Sequence, residues 1–217
     1  MVAQCFNPLL QSNKPRILFR VEHSETSTSR PVDIRLRTLA SVRIPPTVDE
    51  FKSHLQWSSS PTRFFSYFSN CERAMVWRDS LVSRMKKNIK VIAVKTENFA
   101  SIYDAKAIAS ALGLDNLHRH THEYLIEQYH EDECEILAVF QDDGLLTRTV
   151  TFFDVPDPVS IDLPEEYFPG KRTNDPRRDL EEEIHNRTGV DGTAWAGELI
   201  MVMARGPLCA DNEPLAS

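Results

Sequence analysis

Between His118 and Glu135 the chain reads His-Arg-His-Thr-His-Glu-Tyr-Leu-Ile-Glu-Gln-Tyr-His-Glu-Asp-Glu-Cys-Glu, its densest run of side chains that titrate or coordinate. Three chemistries compete for this segment. His118, His120 and His122 alternate, so on a strand they share one face toward a metal ion. The set has no fixed fourth ligand, so a solvated histidine edge is the plainer reading and no metal is expected. The run Glu131-Asp132-Glu133-Cys134-Glu135 offers carboxylates to a cation, and a guanidinium pairs with carboxylates in bidentate geometry. As a polar turn before a strand the same run has no chemical task. Glu123, beside Tyr124-Leu125-Ile126, is a carboxylate with apolar neighbours, suited to general acid/base work, against the alternative of a partly exposed helix glutamate.

Two residues far upstream join these candidates. Arg20 lies in the apolar run Ile17-Leu18-Phe19-Arg20-Val21, where a charge is rarely buried without a partner, so it pairs with a carboxylate or meets an anionic ligand. Ser66 is a small hydroxyl between Phe65 and Tyr67. It marks a close approach of ligand or backbone, or else a surface-facing strand position.

The elements that must hold these residues are legible in outline. Residues 1–14 read as an arm and Arg16–Val21 as a strand, followed by a long loop from His23 to Pro46. Thr47-Val48-Asp49-Glu50 has the capping-box pattern and opens a helix to about Trp57. Arg63–Phe68 reads as a strand, and Asn70 as the cap of a helix through Ala74, Trp77, Leu81 and Met85. Ile89–Lys95 is a β-branched strand, and Phe99–Leu112 is a helix stopped by Gly113. Glu135–Phe140 and Thr147–Phe153 are strands about an Asp142-Asp143-Gly144 turn. After Pro156 and Pro158 the chain reads as irregular until a helix from Asn174 or Asp175 to near Gly189. A last strand follows at Glu198–Met203, then a disordered tail at 206–217. The expected fold class is α+β: a single catalytic domain over residues 15–205, with a mixed sheet flanked by helices.

Composition narrows the function classes. The 217 residues are 41% hydrophobic and 26% charged, enough for one core without staples. The net charge of −7 disfavours a global positive field for nucleic acid and stable DNA binding. Basic strips remain at Arg35/Arg37/Arg43, Arg84–Lys90 and Lys171–Arg178. Four dispersed cysteines with no CxxC pair are expected to be reduced thiols. No apolar run approaches a membrane span and no signal peptide opens the chain, so a cytoplasmic protein is expected. Phosphate-loop, dinucleotide-fingerprint, zinc-protease and serine-elbow motifs are all absent.

Two resemblances complete the reading. Leu18-Phe19-Arg20, then Ser60-Pro61 with Phe65-Ser66-Tyr67-Phe68-Ser69, then Glu123-Tyr124-Leu125 resemble the Arg, Ser and Glu arrangement of ADP-ribosyltransferase-like folds over about residues 16 to 140. The resemblance implies that Arg20 contacts the phosphates or ribose of NAD, Ser66 supports the nicotinamide pocket and Glu123 orients the ribose. The family's Ser-Thr-Ser is here Ser66-Tyr67-Phe68, and Thr121 stands where a Glu or Gln usually precedes the glutamate.

The whole chain, from Asn7-Pro8-Leu9-Leu10 and Pro15–His23 onward, also resembles a fungal family that includes arginine-containing cyclodipeptide synthases. Their Asp-Asp-x-x-Glu motif has its nearest match in Glu131-Asp132-Glu133-Cys134-Glu135. This resemblance implies an aminoacyltransferase with no cofactor, which joins arginine from arginyl-tRNA to a second aminoacyl group drawn from another aminoacyl-tRNA and closes a diketopiperazine. An aminoacyl ester is already activated, so such an enzyme must orient an amine, remove a proton and hold the guanidinium. Asp132 and Glu135 would do this with support from Glu131, and a basic strip would meet the tRNA backbone. The synthase is the expected function, an NAD-dependent ADP-ribosyltransferase or NAD glycohydrolase is the alternative, and a third reading is a non-catalytic module that holds basic peptides on the acidic run.

Overall fold

The computed structural model describes residues 6–23, 45–58, 62–127, 136–142, 147–152 and 159–164, with 185, 186, 189, 197–199 and 202. The first strand, β1 (Ile17–Glu22), is β-branched and aromatic and almost wholly buried. Helix α1 (Val48–Leu55) starts where the capping box predicts. The Thr47 hydroxyl accepts from the Glu50 amide at 3.3 Å, and the Thr47 amide donates to Glu50 Oε2 at 2.8 Å. Strand β2 (Phe64–Phe68) leads through Asn70 into helix α2 (Cys71–Ser83), whose cap is Asn70 Oδ1 accepting from the Arg73 amide at 3.0 Å. The chain continues through β3 (Lys90–Lys95), β4 (Ile102–Asp104), α3 (Ala105–Ala111), β5 (Glu123–Glu127), β6 (Ile136–Asp142), β7 (Thr147–Phe152) and β8 (Val159–Pro164).

The eight strands among the described residues form one sheet in the order β4-β5-β2-β1-β3-β6-β7-β8, so the expected α+β class holds, while the sheet expected to be mixed is antiparallel at every pairing. One seam in it is thin. β1 and β3 are in register over six residues and β2 and β5 over five, whereas β1 and β2 pair only at Phe19↔Phe68. Beyond that point the two strands have no ladder partners in each other.

Two apolar clusters cover the faces of this half of the sheet. On one, Phe51 and Leu55 of α1 and Ile108 of α3 pack on Phe64, Tyr103 and Leu125, with Phe51 stacked on Phe64 at 4.6 Å. On the other, Leu18, Tyr67, Val94, Phe99, Ile102 and Ile126 pack together. Lys14 is buried beside this core and donates its amine to the Phe99 carbonyl at 2.8 Å. Burial lowers its pKa, since removing an ammonium from water favours the neutral form.

Three further expectations are corrected. The helix expected over Phe99–Leu112 begins only at Ala105, because Ile102–Asp104 is a strand paired with β5. Phe99, Ile102 and Tyr103 have helical spacing, but the adjacent Ile102 and Tyr103 belong to opposite clusters, as only a strand covered on both faces allows. The stretch after Pro158, expected to be irregular, holds β8. Val159, Ile161 and Leu163 alternate there, and β8 lies at the sheet edge, where prolines are tolerated. The strand expected at Glu198–Met203 is helical at residues 197–199 and 202, with Leu199 and Val202 buried at an i, i+3 spacing. The helix expected to end near Gly189 fits: His185 and Asn186 are helical, and Gly189, at φ 67°, donates its amide to the His185 carbonyl at 2.8 Å.

Candidate active site

A cavity of about 270 Å3 lies at the thin seam, lined by Arg20 of β1, Ser66 of β2, Glu123 of β5, His54 of α1 and the indoles of Trp57 and Trp77. The sheet register explains why two of these meet. Ser66 is opposite Leu125 and Phe68 is opposite Glu123, so Ser66 and Glu123 are diagonal neighbours on the face that α1 covers. The Ser66 hydroxyl donates to Glu123 Oε1 at 2.6 Å. Arg20 comes from the other face, its guanidinium 3.6 Å from the centre of the Phe65 ring and 3.1 Å from Glu22. It reaches the same cavity where β1 and β2 cease to pair.

Glu123 is 4% exposed, so its carboxylate depends on the donors around it. Its second oxygen, Oε2, lies 2.6 Å from Nδ1 of His120, which is equally buried. The turn before β5 makes this contact. Asn116 at φ 63° and His122 at φ 62° bracket a 3-10 turn, Leu117–His120, which folds His120 back onto the residue three places ahead. Arg73 of α2 secures the turn by donating to the Arg119 carbonyl at 3.0 Å.

His54 completes the array. Its Nε2 is 3.0 Å from Ser66 Oγ and its Nδ1 2.6 Å from Thr62 Oγ1, with the ring edge-on to Phe64. The direction of these bonds follows from hydrogen counting. A serine hydroxyl has one hydrogen, here given to Glu123, so His54 Nε2 must donate to Ser66 rather than take its proton. Ser66 is therefore a bridge that orients Glu123, not a serine activated for attack.

The helix that carries His54 is itself pinned. Arg63, 3% exposed, donates to Glu50 through Nε at 2.8 Å and Nη2 at 3.0 Å, and through Nη1 to Glu127 at 3.4 Å. Burial alone would raise the Glu50 carboxyl, but the Thr47 amide, the Arg63 guanidinium and the Thr47 hydroxyl together hold it below its ordinary value.

Of the residues singled out from sequence, the structure thus brings Arg20, Ser66 and Glu123 to one cavity. Glu123 is on a strand and buried, against the reading of an exposed helix glutamate, and Ser66 faces a cavity rather than open solvent. Arg20 meets both a carboxylate and the cavity. Glu131, Asp132 and Glu135 lie outside the described residues. The three alternating histidines do not share a strand face: His118 and His120 are in the turn, and only His120 touches Glu123. Among the described residues no group of His, Cys, Asp or Glu could hold a metal ion, and no helix is long and apolar enough to cross a membrane. His54 and Thr62 were missed. His54 falls on the inner face of α1 beside Phe51 and Leu55, a polar residue at an apolar position, and that mismatch was its signal.

Fold and cavity define an α+β protein with a buried, hydrogen-bonded glutamate facing a cleft lined by arginines and aromatics. Residues 13–134 match a family described as a domain of unknown function (DUF7587), and the chain belongs to that family. The matched span contains Arg20, His54, Thr62, Ser66, His120 and Glu123. A search of curated proteins found no match.

Proposed function

We propose that this protein cleaves the bond between nicotinamide and ribose in NAD, passing ADP-ribose to an acceptor hydroxyl, amine or water. One observation carries the reading: the Arg, Ser and Glu of the resemblance, from three strands, line one cavity, with Glu123 buried and held by Ser66. In the reaction the C1′–N bond breaks and its electron pair leaves with neutral nicotinamide. The acceptor oxygen or nitrogen forms the new bond to C1′ and loses a proton. The carboxylate of Glu123 orients the ribose, stabilises the positive charge that develops on it and takes that proton. Ser66 and His120 each hold one of its oxygens, which keeps it oriented before substrate arrives. Arg20 supplies the fixed positive charge for phosphate or ribose oxygens.

The test is nicotinamide release from NAD by the purified chain and by Glu123→Gln, which keeps the size and loses the charge. Release by wild type and a fall of at least about 100-fold in the variant are expected. Equal rates would refute the assignment. The cyclodipeptide-synthase reading rests on Glu131, Asp132 and Glu135, and we retain it as the alternative, with aminoacyl-tRNA as substrate. An arginine diketopiperazine made by wild type but not by Asp132→Ala/Glu135→Ala would establish it.

A further inference from the structure

Resting on the NAD reading, we propose that Trp57 and Trp77 form the platform on which the adenine of the dinucleotide stacks, with Arg73 and Arg119 beside it to meet phosphate. The argument starts from size. A cavity of about 270 Å3 is below the range of about 300–1,000 Å3 typical for drug-sized ligands, so it holds one nucleotide half and not two. The polar array of Ser66, Glu123 and His54 suits the nicotinamide ribose, and the other half must extend past the indoles of Trp57 and Trp77, which line the same cavity.

The surface available is aromatic. Trp57 is 53% exposed, and its indole packs edge-on against that of Trp77 at 4.7 Å between ring centres. Its backbone sits at φ 56°, the left-handed region that glycine favours and bulky side chains avoid. A tryptophan here carries two costs at once, an exposed apolar ring and an unfavourable backbone. The left-handed backbone closes the end of α1, with the Ser58 amide donating to the Ser53 carbonyl at 3.1 Å, but glycine would serve there as well, and the Trp57 ring belongs to neither apolar cluster of the sheet. Exposed apolar surface that lines a cavity marks an interaction site. The Trp57 amide donates to the His54 carbonyl at 3.0 Å, so one helix end fixes both the platform and the histidine of the polar array. Cations are grouped around it. Arg84 lies 5.7 Å from the Trp77 ring centre, and Arg73 and Arg119 line the same cavity, joined by the bond from Arg73 to the Arg119 carbonyl. An electron-rich indole pair edged by guanidiniums fits a purine joined to phosphate better than it fits a neutral apolar group.

The experiment uses the full chain and four probes, AMP, ADP-ribose, nicotinamide mononucleotide and NAD, by calorimetry and by quenching of tryptophan fluorescence. AMP and ADP-ribose are expected to bind and to quench. Trp57→Gly and Trp77→Ala are expected to weaken both by between about five-fold and about a hundred-fold, leaving nicotinamide mononucleotide within about two-fold. Since glycine suits φ 56°, Trp57→Gly is expected to melt within a few degrees of wild type while losing AMP. A sharp fall in melting temperature with equal weakening of every probe would assign Trp57 to packing and overturn the proposal. So would AMP binding that neither variant changes, which would assign the indoles to an acceptor. The two readings fail separately. AMP capture that depends on the tryptophans, with no nicotinamide release from NAD, supports the platform and removes the reaction; NAD cleavage at an unchanged KM in both variants removes the platform and keeps the reaction.

Discussion

Replacing Arg63 with methionine tests whether the scaffold beneath the site is electrostatic. Methionine keeps about the aliphatic part of arginine and removes the planar guanidinium with its charge and donors. In the native protein the guanidinium serves two carboxylates, and Glu127 is the more costly to abandon, its side chain 6% exposed against 23% for Glu50. Removing one partner of a buried pair typically costs about 3–5 kcal/mol, chiefly through the charge left behind. Glu50 keeps the Thr47 donors and some access to water, so the lower end, about 3 kcal/mol, is expected. For a chain of this size that corresponds to a melting temperature lower by about 6–12 °C. The assay is urea unfolding followed by circular dichroism at pH 7, repeated toward acid.

The acid limb adds a sign. In the folded protein Glu50 titrates below its ordinary value near 4.5, so the folded state binds fewer protons there. The stability this contributes is complete above that value and is lost as pH falls through the folded one. Without Arg63 part of the depression is gone, and the loss of stability as pH falls below about 4.5 should be shallower than in wild type. A variant less than about 1 kcal/mol weaker at neutral pH, with an unchanged acid limb, would refute the reasoning.

Further outcomes follow from the same geometry. Ser66→Ala removes the bridge to Glu123 and is expected to lower kcat for nicotinamide release by about 10- to 100-fold with little change in KM; a change confined to KM would count against a positioning role. His120→Phe, which keeps the ring and loses the donor to Glu123 Oε2, should lower kcat similarly, and His120→Asn should recover part of it; identical rates in the two variants would speak against the hydrogen bond. Thr47→Ala breaks the capping box and is expected to cost about 1 kcal/mol, read from the urea midpoint. Lys14→Met removes a group whose folded pKa is lowered, so the wild type should gain stability relative to the variant as pH rises toward 10.5, because there the unfolded chain binds the extra proton; parallel curves would show that burial does not govern Lys14.

Much of the fold was legible where local chemistry decides it. Thr47 with Glu50 and Asn70 announce helix starts through their own side chains, and the structure places caps at both. β1 and β3 read as strands from β-branched runs alone. The misreadings occur where tertiary cover overrides pattern. Ile102 and Tyr103 have helical spacing from Phe99, yet pairing with β5 and packing on both faces make them a strand. Glu198–Met203 is apolar enough for a strand, yet buries residues in a helical rhythm. For the site, Arg20, Ser66 and Glu123 stood out as polar groups in apolar runs, which is a local signal. Their partners did not, because the link from His54 to Ser66 joins a helix to a strand, and no spacing in the sequence states it.

The thin seam gives the site its logic. A sheet paired fully between β1 and β2 would place Arg20 and Ser66 on opposite faces with no route between them, because adjacent strands in register keep alternate side chains apart. Pairing at Phe19↔Phe68 alone keeps the strands neighbours and leaves a gap beside them, and the gap is where the cavity lies. Backbone amides and carbonyls released from the ladder at such a gap must find other partners, and in a cleft those are water or a ligand. The array is thus held from outside the seam: Glu123 by the turn before β5, Ser66 by five-residue register with β5, Arg20 by six-residue register with β3. Each half of the sheet is paired within itself, and the two halves meet at the cavity, where the proposed function places the substrate. A ligand that contacts Arg20 on one side and Glu123 on the other closes the gap that the strands leave. The melting temperature should therefore rise with such a ligand by more in wild type than in a variant whose Arg20 is replaced by methionine, since only the former can be bridged across the seam.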